Sequence, residues 1–368
     1  MTEKMYDLGA CRPLSEREIA RCRRVAGELA LLERKSDTES WVAPNGTVIY
    51  GHVSNIDFER VDDSFLNRLR HHSHIFSGYR LTNLLGLTSE PHWNDFFVEA
   101  FDPERTAPDW SVPAFRKYVE GLDPQYIFSP PLIMGEVGFN IDGYCVNRDV
   151  VAYQERINLL REFGVFDHLQ RKGAPLILEI GGGYGALAFF LKQRFPRATY
   201  AIVDLPRSLL FSGCYLAAAL PGVEVRVFKP EDEVFAPGSV TLVANSLLHR
   251  LAVPVVDVAI NTLSFGEMPY TAVADYGRWL EQHLATDGLL FEQNFNNSHL
   301  DAGHFSNPPQ ILSRFLQRRL GRKRSLWQRL SKTPGLQWGS ANLWQRRAKT
   351  GSRNRLREIL GRFKMPSA

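Results

Sequence analysis

The stretch 176–206, LILEIGGGYGALAFFLKQRFPRATYAIVDLP, decides the fold of this chain. Its first five residues are an aliphatic run typical of a strand buried on both faces of a sheet. Three glycines follow, and apolar residues at helical spacing then predict a helix over ALAFFLKQRF. A second aliphatic run, YAIVD, ends in Asp204. The stretch therefore predicts a strand, a glycine loop, a helix and a second strand parallel to the first.

The glycine loop and Asp204 together predict a nucleotide-type ligand. Glycine tolerates positive φ and lets a ligand approach the backbone, which suits Gly181, Gly183 and Gly185 to this position. The free N–H groups at the start of the following helix can bind polar ligand atoms. Asp204 is placed to accept hydrogen bonds from two ribose hydroxyls. A glycine turn without a ligand would leave Asp204 unexplained.

Two classes of cofactor fit this geometry. Gly181, Gly183 and Ala186 satisfy the G-x-G-x-x-A form of the dinucleotide fingerprint. Glu179 precedes the first glycine by two residues, and the run EIGGGYG resembles the motif of class I S-adenosylmethionine-dependent methyltransferases. A carboxylate beside the glycines suits the cationic methionine end of that cofactor and would repel a pyrophosphate. We therefore favour S-adenosylmethionine over a nicotinamide cofactor.

Strands and helices alternate on both sides of this unit and predict an α/β fold with a doubly wound, mostly parallel, Rossmann-like sheet. We expect a mainly helical N-terminal cap, with the substrate region, over residues 1–150. The cofactor-binding domain follows over residues 151–307, and a basic C-terminal tail over residues 308–368. The abrupt change in composition after two consecutive prolines places the second boundary.

Several helices are predicted ahead of the glycine strand. In the cap, Ser15 and Glu18 form a capping box before an amphipathic pattern, which predicts the start of a helix. Residues 147–169 carry apolar residues on one side and predict one continuous helix that leads into the strand.

Length and composition limit the class of protein. At 368 residues and 44% hydrophobic residues, the chain can bury a large core and has room for two domains. No apolar stretch reaches transmembrane length, and the N-terminal residues lack the apolar region of a signal peptide, so we expect a cytoplasmic protein. The four cysteines are scattered, fit neither a zinc pattern nor a disulfide set, and are expected to be reduced thiols.

The net charge of +4 hides an asymmetry along the chain. Residues 310–368 contain sixteen Lys and Arg and one acid, Glu358, a formal charge of +15, so residues 1–309 carry −11. Three tryptophans lie among these basic residues: Trp327, Trp338 and Trp344. Such a segment can bind the anionic inner face of a membrane, and no specific nucleic acid is expected. A solvated tail without a partner is an equal alternative.

A second diagnostic stretch is VVDVAINTLSFGEMP, residues 255–269, which predicts a strand and the loop that follows it. Together with the glycine motif, AIVDLP and the helix YTAVADYGRWL, this loop resembles the bacterial sugar O-methyltransferase family. The resemblance covers approximately residues 130–300. The glycine motif is shared by all class I methyltransferases, whereas the loop that contains Ser264, Phe265 and Glu267 indicates this family.

The resemblance implies a set of cofactor-binding residues. Those expected to bind the cofactor are Glu179, Gly181, Gly183 and Gly185 at its methionine half, and Asp204 at its ribose. Because ligands of an open parallel sheet bind at the carboxyl ends of its strands, Asn261 and Glu267 would face the transferred methyl group.

The resemblance also implies S-adenosylmethionine-dependent O-methylation of a sugar hydroxyl, in a surface glycan or its activated precursor, as in polysaccharide biosynthesis. A positioned base must then remove the proton of the hydroxyl. One alternative is an NAD(P)-dependent sugar oxidoreductase. Another is a non-catalytic scaffold that binds the cofactor.

Glu267 is our first candidate for the base and His249 the second, while Asp301 and His304 are similarly placed after the strand predicted over GLLFEQN, residues 288–294. Three further histidines lie close together in sequence: His71, His72 and His74. Neighbouring positions of a helix diverge, so these three cannot face one metal ion, and no metal site is expected.

Overall fold

The computed structural model describes residues 5–6, 10–35, 61–72, 111–229, 231–232, 235–251, 255–296, 298, 306–316, 320–325 and 339–346. The described N-terminal elements are β1 (Met5–Tyr6), α1 (Glu16–Lys35), α2 (Asp63–Asn67), α3 (Leu69–His72), α4 (Ser111–Val119), β2 (Gly138–Ile141) and β3 (Tyr144–Val146). The three strands form a small antiparallel sheet of their own.

The rest of the described chain builds one large sheet and its flanking helices. Its helices are α5 (Arg148–Glu162), α6 (Val165–Lys172), α7 (Ala186–Arg194), α8 (Pro206–Ala219), α9 (Tyr270–His283) and α10 (Pro308–Leu316). Its strands are β4 (Leu176–Ile180), β5 (Thr199–Asp204), β6 (Val225–Val227), β7 (Val240–Ala244), β8 (Val256–Thr262), β9 (Leu284–Asn294), β10 (Leu320–Ser325) and β11 (Ser340–Arg346).

The eight strands lie in the order β10-β11-β9-β8-β4-β5-β7-β6. The six strands from β9 to β6 are mutually parallel, and β11 runs antiparallel to both of its neighbours, β9 and β10. The predicted α/β class with a doubly wound, mostly parallel sheet is therefore confirmed. From β4 the chain extends the sheet first through β5 and then returns to the other side at β8. The gap between β4 and β8 is thus the topological switch point, where ligands of such sheets bind.

The capping box at the start of α1 forms as predicted. The hydroxyl of Ser15 accepts the backbone N–H of Glu18 at 3.3 Å, and the Glu18 carboxylate accepts the backbone N–H of Ser15 at 2.8 Å. The buried face of α1, which includes Cys22 and Val25, packs against α8 within the core that also covers one face of the sheet. This helix therefore belongs to the layer that covers the sheet.

The helix predicted over residues 147–169 is wrong in one respect, because two helices form there. Asn147 caps α5 through a bond from the Val150 N–H to its side chain at 2.9 Å. Between the helices, Gly164 adopts φ of 74°. Such a left-handed residue ends an α-helix, so the apolar periodicity continues across a break in direction.

The predicted tail needs a correction, because part of it belongs to the sheet. Residues of β11 pair with β9 from Ser340↔Asn294 to Gln345↔Leu289. Trp344, expected on a membrane-binding surface, is only 1% exposed and lies in the core on the α9 and α10 side of the sheet. Trp327 and Trp338 lie outside the described residues. Residues after 307 therefore contribute to the sheet and do not form a separate tail throughout.

No helix among the described residues has both the length and the apolar composition that crossing a bilayer requires.

We predict that Trp344→Ala destabilises the protein by about 3–5 kcal/mol, since it leaves a large cavity in a closed core. Gln345→Ala changes the adjacent, half-buried residue of the same strand and should cost about 1 kcal/mol or less. Urea unfolding of both variants measures the difference. Equal stabilities would contradict the placement of β11 in the sheet.

Candidate functional site

The glycine loop 181–185 joins β4 to α7 at the switch point. Gly181, Gly183 and Gly185 adopt φ of 77°, 53° and 91°, a region that residues with a Cβ rarely occupy. Gly181 and Gly183 are partly exposed, whereas Gly182 and Gly185 are buried. Gly181 and Gly183 therefore leave backbone accessible near the start of α7, whose N-cap residue, Gly185, offers no side chain to the first turn.

The loop after β8 closes directly against the glycine loop. Asn261 donates through Nδ2 to the carbonyl oxygen of Ile180 at 2.8 Å and to Ser264 Oγ at 2.6 Å. Its Oδ1 accepts the N–H of Phe265 at 3.3 Å. A Cβ at Gly181 would overlap the Ser264 side chain, so only glycine fits there. Asn261, predicted to bind the cofactor, has these polar atoms engaged in joining the ends of β4 and β8.

Asp204 ends β5 beside the glycine loop, as predicted. Its carboxylate accepts the N–H of Gly182 at 3.1 Å and the N–H of Leu205 at 2.8 Å. Burial raises the pKa of Asp204 to about 6, although these two backbone hydrogen bonds and one with the Ser208 side chain lower it. The side chain is only partly buried. A carboxylate has room for about four hydrogen bonds, so beyond the two backbone bonds and the Ser208 bond capacity remains for a further hydroxyl donor.

Glu179 lies beneath the loop and is 1% exposed. Its Oε2 accepts the hydroxyl hydrogen of Tyr200 at 2.8 Å. Burial raises the pKa of Glu179 to about 8, against the opposing effects of the Tyr200 hydrogen bond and of the nearby Arg156 charge. At pH 7 the side chain is therefore mostly protonated, which weakens the argument that its charge would repel a pyrophosphate.

A second buried acid near the carboxyl ends of the strands was missed by the sequence reasoning. Glu155 on α5 accepts the hydroxyl of Tyr118 and the side-chain amide of Gln293, each at 2.8 Å. Burial raises the pKa of Glu155 to about 7. It joins α4, α5 and the end of β9, three elements far apart in sequence. No local pattern in the sequence marks such a contact.

The two candidate bases differ in their distance from the switch point. Glu267 ends a 3₁₀ turn, Ser264–Glu267, directly after β8, and its side chain is half-buried. His249 follows β7 and is exposed. β7 is separated from β4 by β5, and neighbouring strands lie about 4.8 Å apart. Asp301 and His304 lie outside the described residues.

The three histidines that lie close together in sequence, at positions 71, 72 and 74, fall largely outside the described residues. His71 and His72 belong to α3 without described side chains, and His74 is not described. Within the described ranges, no three His, Cys, Asp or Glu side chains come together as metal ligands.

Comparison with known proteins gives no family, because no family model and no curated protein matches the chain. Among solved structures it is similar to the pyocyanin biosynthetic protein PhzM, with 16% identity over 54% of this chain and 58% of that one, and a TM-score of 0.34. An O-methyltransferase family protein from Burkholderia thailandensis gives 13% identity, 55% and 60% coverage and a TM-score of 0.36. CalS10, an amino pentose methyltransferase from Micromonospora echinaspora, is 14% identical over 50% of this chain and 90% of that one, with a TM-score of 0.35.

The chain spans less than two thirds of the length of the first two structures. With TM-scores below 0.5, these likenesses carry no argument about its function. The resemblance to sugar O-methyltransferases stays a prediction from the residues of the two loops.

We predict that Glu179→Gln flattens the pH dependence of stability. The folded-state pKa of about 8 lies above the ordinary 4.5, so the folded protein binds more protons and loses stability as pH rises through that window. Each pKa unit corresponds to about 1.4 kcal/mol, so the variant should gain a few kcal/mol over wild type between pH 5 and pH 8.

Urea midpoints at the two pH values measure this gain. Glu155 and Asp204 act in the same direction in both proteins, so the difference between the proteins isolates Glu179. Glu224→Gln, which changes an exposed acid, is the control. Parallel pH profiles for wild type and Glu179→Gln would contradict the prediction.

Proposed function

We propose that this chain is an S-adenosylmethionine-dependent O-methyltransferase that acts on a sugar hydroxyl of a glycan or an activated sugar precursor. One observation carries the proposal. At the switch point of a parallel sheet, the partly exposed backbone of Gly181 and Gly183 lies beside the carboxylate of Asp204. The Gly182 N–H donates to that carboxylate, so the glycine loop and the end of β5 form one continuous rim.

The residues at this rim fit the cofactor. Asp204 keeps hydrogen-bonding capacity for a ribose, and Gly181 and Gly183 leave the backbone open for the methionine half. Glu179 supplies an acid beneath the loop, and a nearby ammonium would favour its ionised form. The cofactor, when bound, supplies an activated methyl group. The protein has to orient an acceptor hydroxyl towards it, exclude water and take up the proton.

The proposal of a sugar acceptor depends on the loop after β8. Its support is the resemblance of residues 255–269 to the sugar-specific family, a loop that follows the strand next to the glycine strand. The NAD(P)-dependent oxidoreductase remains the alternative, because a largely protonated Glu179 does not exclude a pyrophosphate. A direct comparison of the two ligands separates these functions.

Calorimetric titration of the full chain with S-adenosylhomocysteine and with NAD tests the cofactor. We expect binding of the first only. Asp204→Ala should weaken that binding roughly ten- to a hundredfold, because a charge-assisted hydrogen bond contributes about 1.5–3 kcal/mol.

Asp257→Ala is the matched control for this titration. Asp257 also accepts a backbone N–H, that of Leu176 at 2.9 Å, but at the opposite end of the sheet. Its loss should leave the affinity unchanged. Preferential binding of NAD, or normal affinity in a folded Asp204→Ala variant, would overturn the cofactor assignment.

The proposed base is Glu267, with His249 as the second candidate. Glu267 follows β8, which adjoins the glycine strand, whereas His249 is exposed and follows a strand two positions away. A base placed at a weakly acidic sugar hydroxyl contributes about 10²–10⁴ in rate.

Glu267→Gln should therefore lower methyl transfer by about 10²–10⁴ and leave the affinity for S-adenosylhomocysteine unchanged. His249→Ala should have a smaller effect on both quantities. Radiolabelled methyl transfer to nucleotide sugars and oligosaccharides measures the rate. Near-wild-type turnover in Glu267→Gln would exclude this residue and leave His249 or His304 as the better candidate.

A further inference from the structure

A buried guanidinium holds the aromatic residue of the glycine loop. The carbon Cζ of Arg70, on α3, lies 3.4 Å from the ring centroid of Tyr184. Neither side chain has any exposed surface. The Tyr153 and Tyr215 rings meet the Tyr184 ring edge to face, with centroids 5.6 and 5.1 Å away. A guanidinium on an aromatic face away from water is among the stronger cation–π arrangements.

The orientation of this guanidinium is fixed from several sides. Arg70 Nε donates to Glu136 Oε2 at 2.7 Å, and one of its terminal nitrogens lies 3.1 Å from Asp149 Oδ2. Asn147 donates to the other Glu136 oxygen at 2.8 Å. The backbone N–H of Arg70 donates to the carbonyl of Met134 at 2.7 Å. Arg70 is thus held to the segment before β2 by its guanidinium and its backbone, and to α5 by its guanidinium.

Because Tyr184 belongs to the glycine loop, its fixed ring limits the backbone conformations of that loop. Tyr184 is flanked by Gly183 and Gly185, which both adopt positive φ. Such a backbone has many alternatives, because glycine rotates freely. Among the described residues the Tyr184 hydroxyl has no hydrogen-bond partner, so the contacts of its ring fix its position. Helix α8 packs against the other side of the loop, where the Leu216 side chain would lie 3.1 Å from a Cβ added at Gly185.

We propose that Arg70 is a positioning residue for cofactor binding, which acts by stacking on Tyr184 and so holding the glycine loop in its binding conformation. The proposal rests on the function proposed above. It gives the N-terminal region a role in the cofactor site in addition to any contact with the acceptor. Cofactor affinity then depends on a residue more than 100 positions before the loop in sequence.

The test combines two substitutions that break the stack in different ways. Arg70→Met removes the cation. Tyr184→Leu removes the ring and leaves the buried ion pairs intact, so it remains informative if Arg70→Met does not fold. Each should raise the dissociation constant for S-adenosylhomocysteine at least about tenfold. Tyr184→Phe keeps the ring and should retain most of the affinity that Tyr184→Leu loses.

One control variant and one further measurement separate positioning from general destabilisation. Leu169→Ala opens a cavity in α6, which leads into the opposite end of β4, and should lower thermal stability without changing affinity. Hydrogen exchange of the amides of residues 181–186 should accelerate in Tyr184→Leu and not in Leu169→Ala, at temperatures where both are folded.

The outcomes distinguish this proposal from the proposed function. If the wild-type protein binds no S-adenosylhomocysteine, the proposed cofactor is wrong, while the exchange of the loop amides still reports whether the stack orders the loop. If wild type binds and both stack variants bind equally well, Arg70 has no positioning role. An equal loss of affinity in Leu169→Ala would also overturn the proposal, because the effect would then follow from stability alone.

Discussion

The site depends on how closely the loop after β8 approaches the loop after β4. Asn261 binds the carbonyl of Ile180 and the hydroxyl of Ser264, and the Ser264 side chain occupies the space where a Cβ of residue 181 would lie. A side chain at residue 181 would prevent this close approach of the two loops. Gly181 therefore serves two purposes, since it permits this contact and leaves backbone accessible beside Asp204.

Much of the sheet was predictable because its strands are local apolar runs bounded by residues typical of turns and loops. The glycine loop, Asp204 and the helices on either side lie where their patterns place them. Errors arose where backbone geometry overrides side-chain periodicity, as at Gly164. The hairpin of β2 and β3 was missed, although Asp142-Gly143 is a turn signal that favours positive φ at both residues, and both adopt it.

The unpredicted part of the site consists of contacts between distant segments. Arg70 pairs with Glu136 and stacks on Tyr184, and Glu155 accepts from Gln293, yet no spacing in the sequence relates these positions. The ionisation of Glu179 was equally inaccessible, since its raised pKa follows from burial that only the packed structure defines. Sequence identifies the groups that can do chemistry, whereas burial decides their charge.

The position of β11 has a consequence for how the protein is made. This strand comes last among the described elements, but it lies inside the sheet, between β9 and β10. Until residue 346 leaves the ribosome, β9 presents a long edge of unpaired N–H and carbonyl groups with an apolar face beside it. Domains otherwise tend to fold from the N-terminus during synthesis. The described sheet can be completed only after translation has passed β11, and an unpaired strand edge of this kind favours aggregation until then.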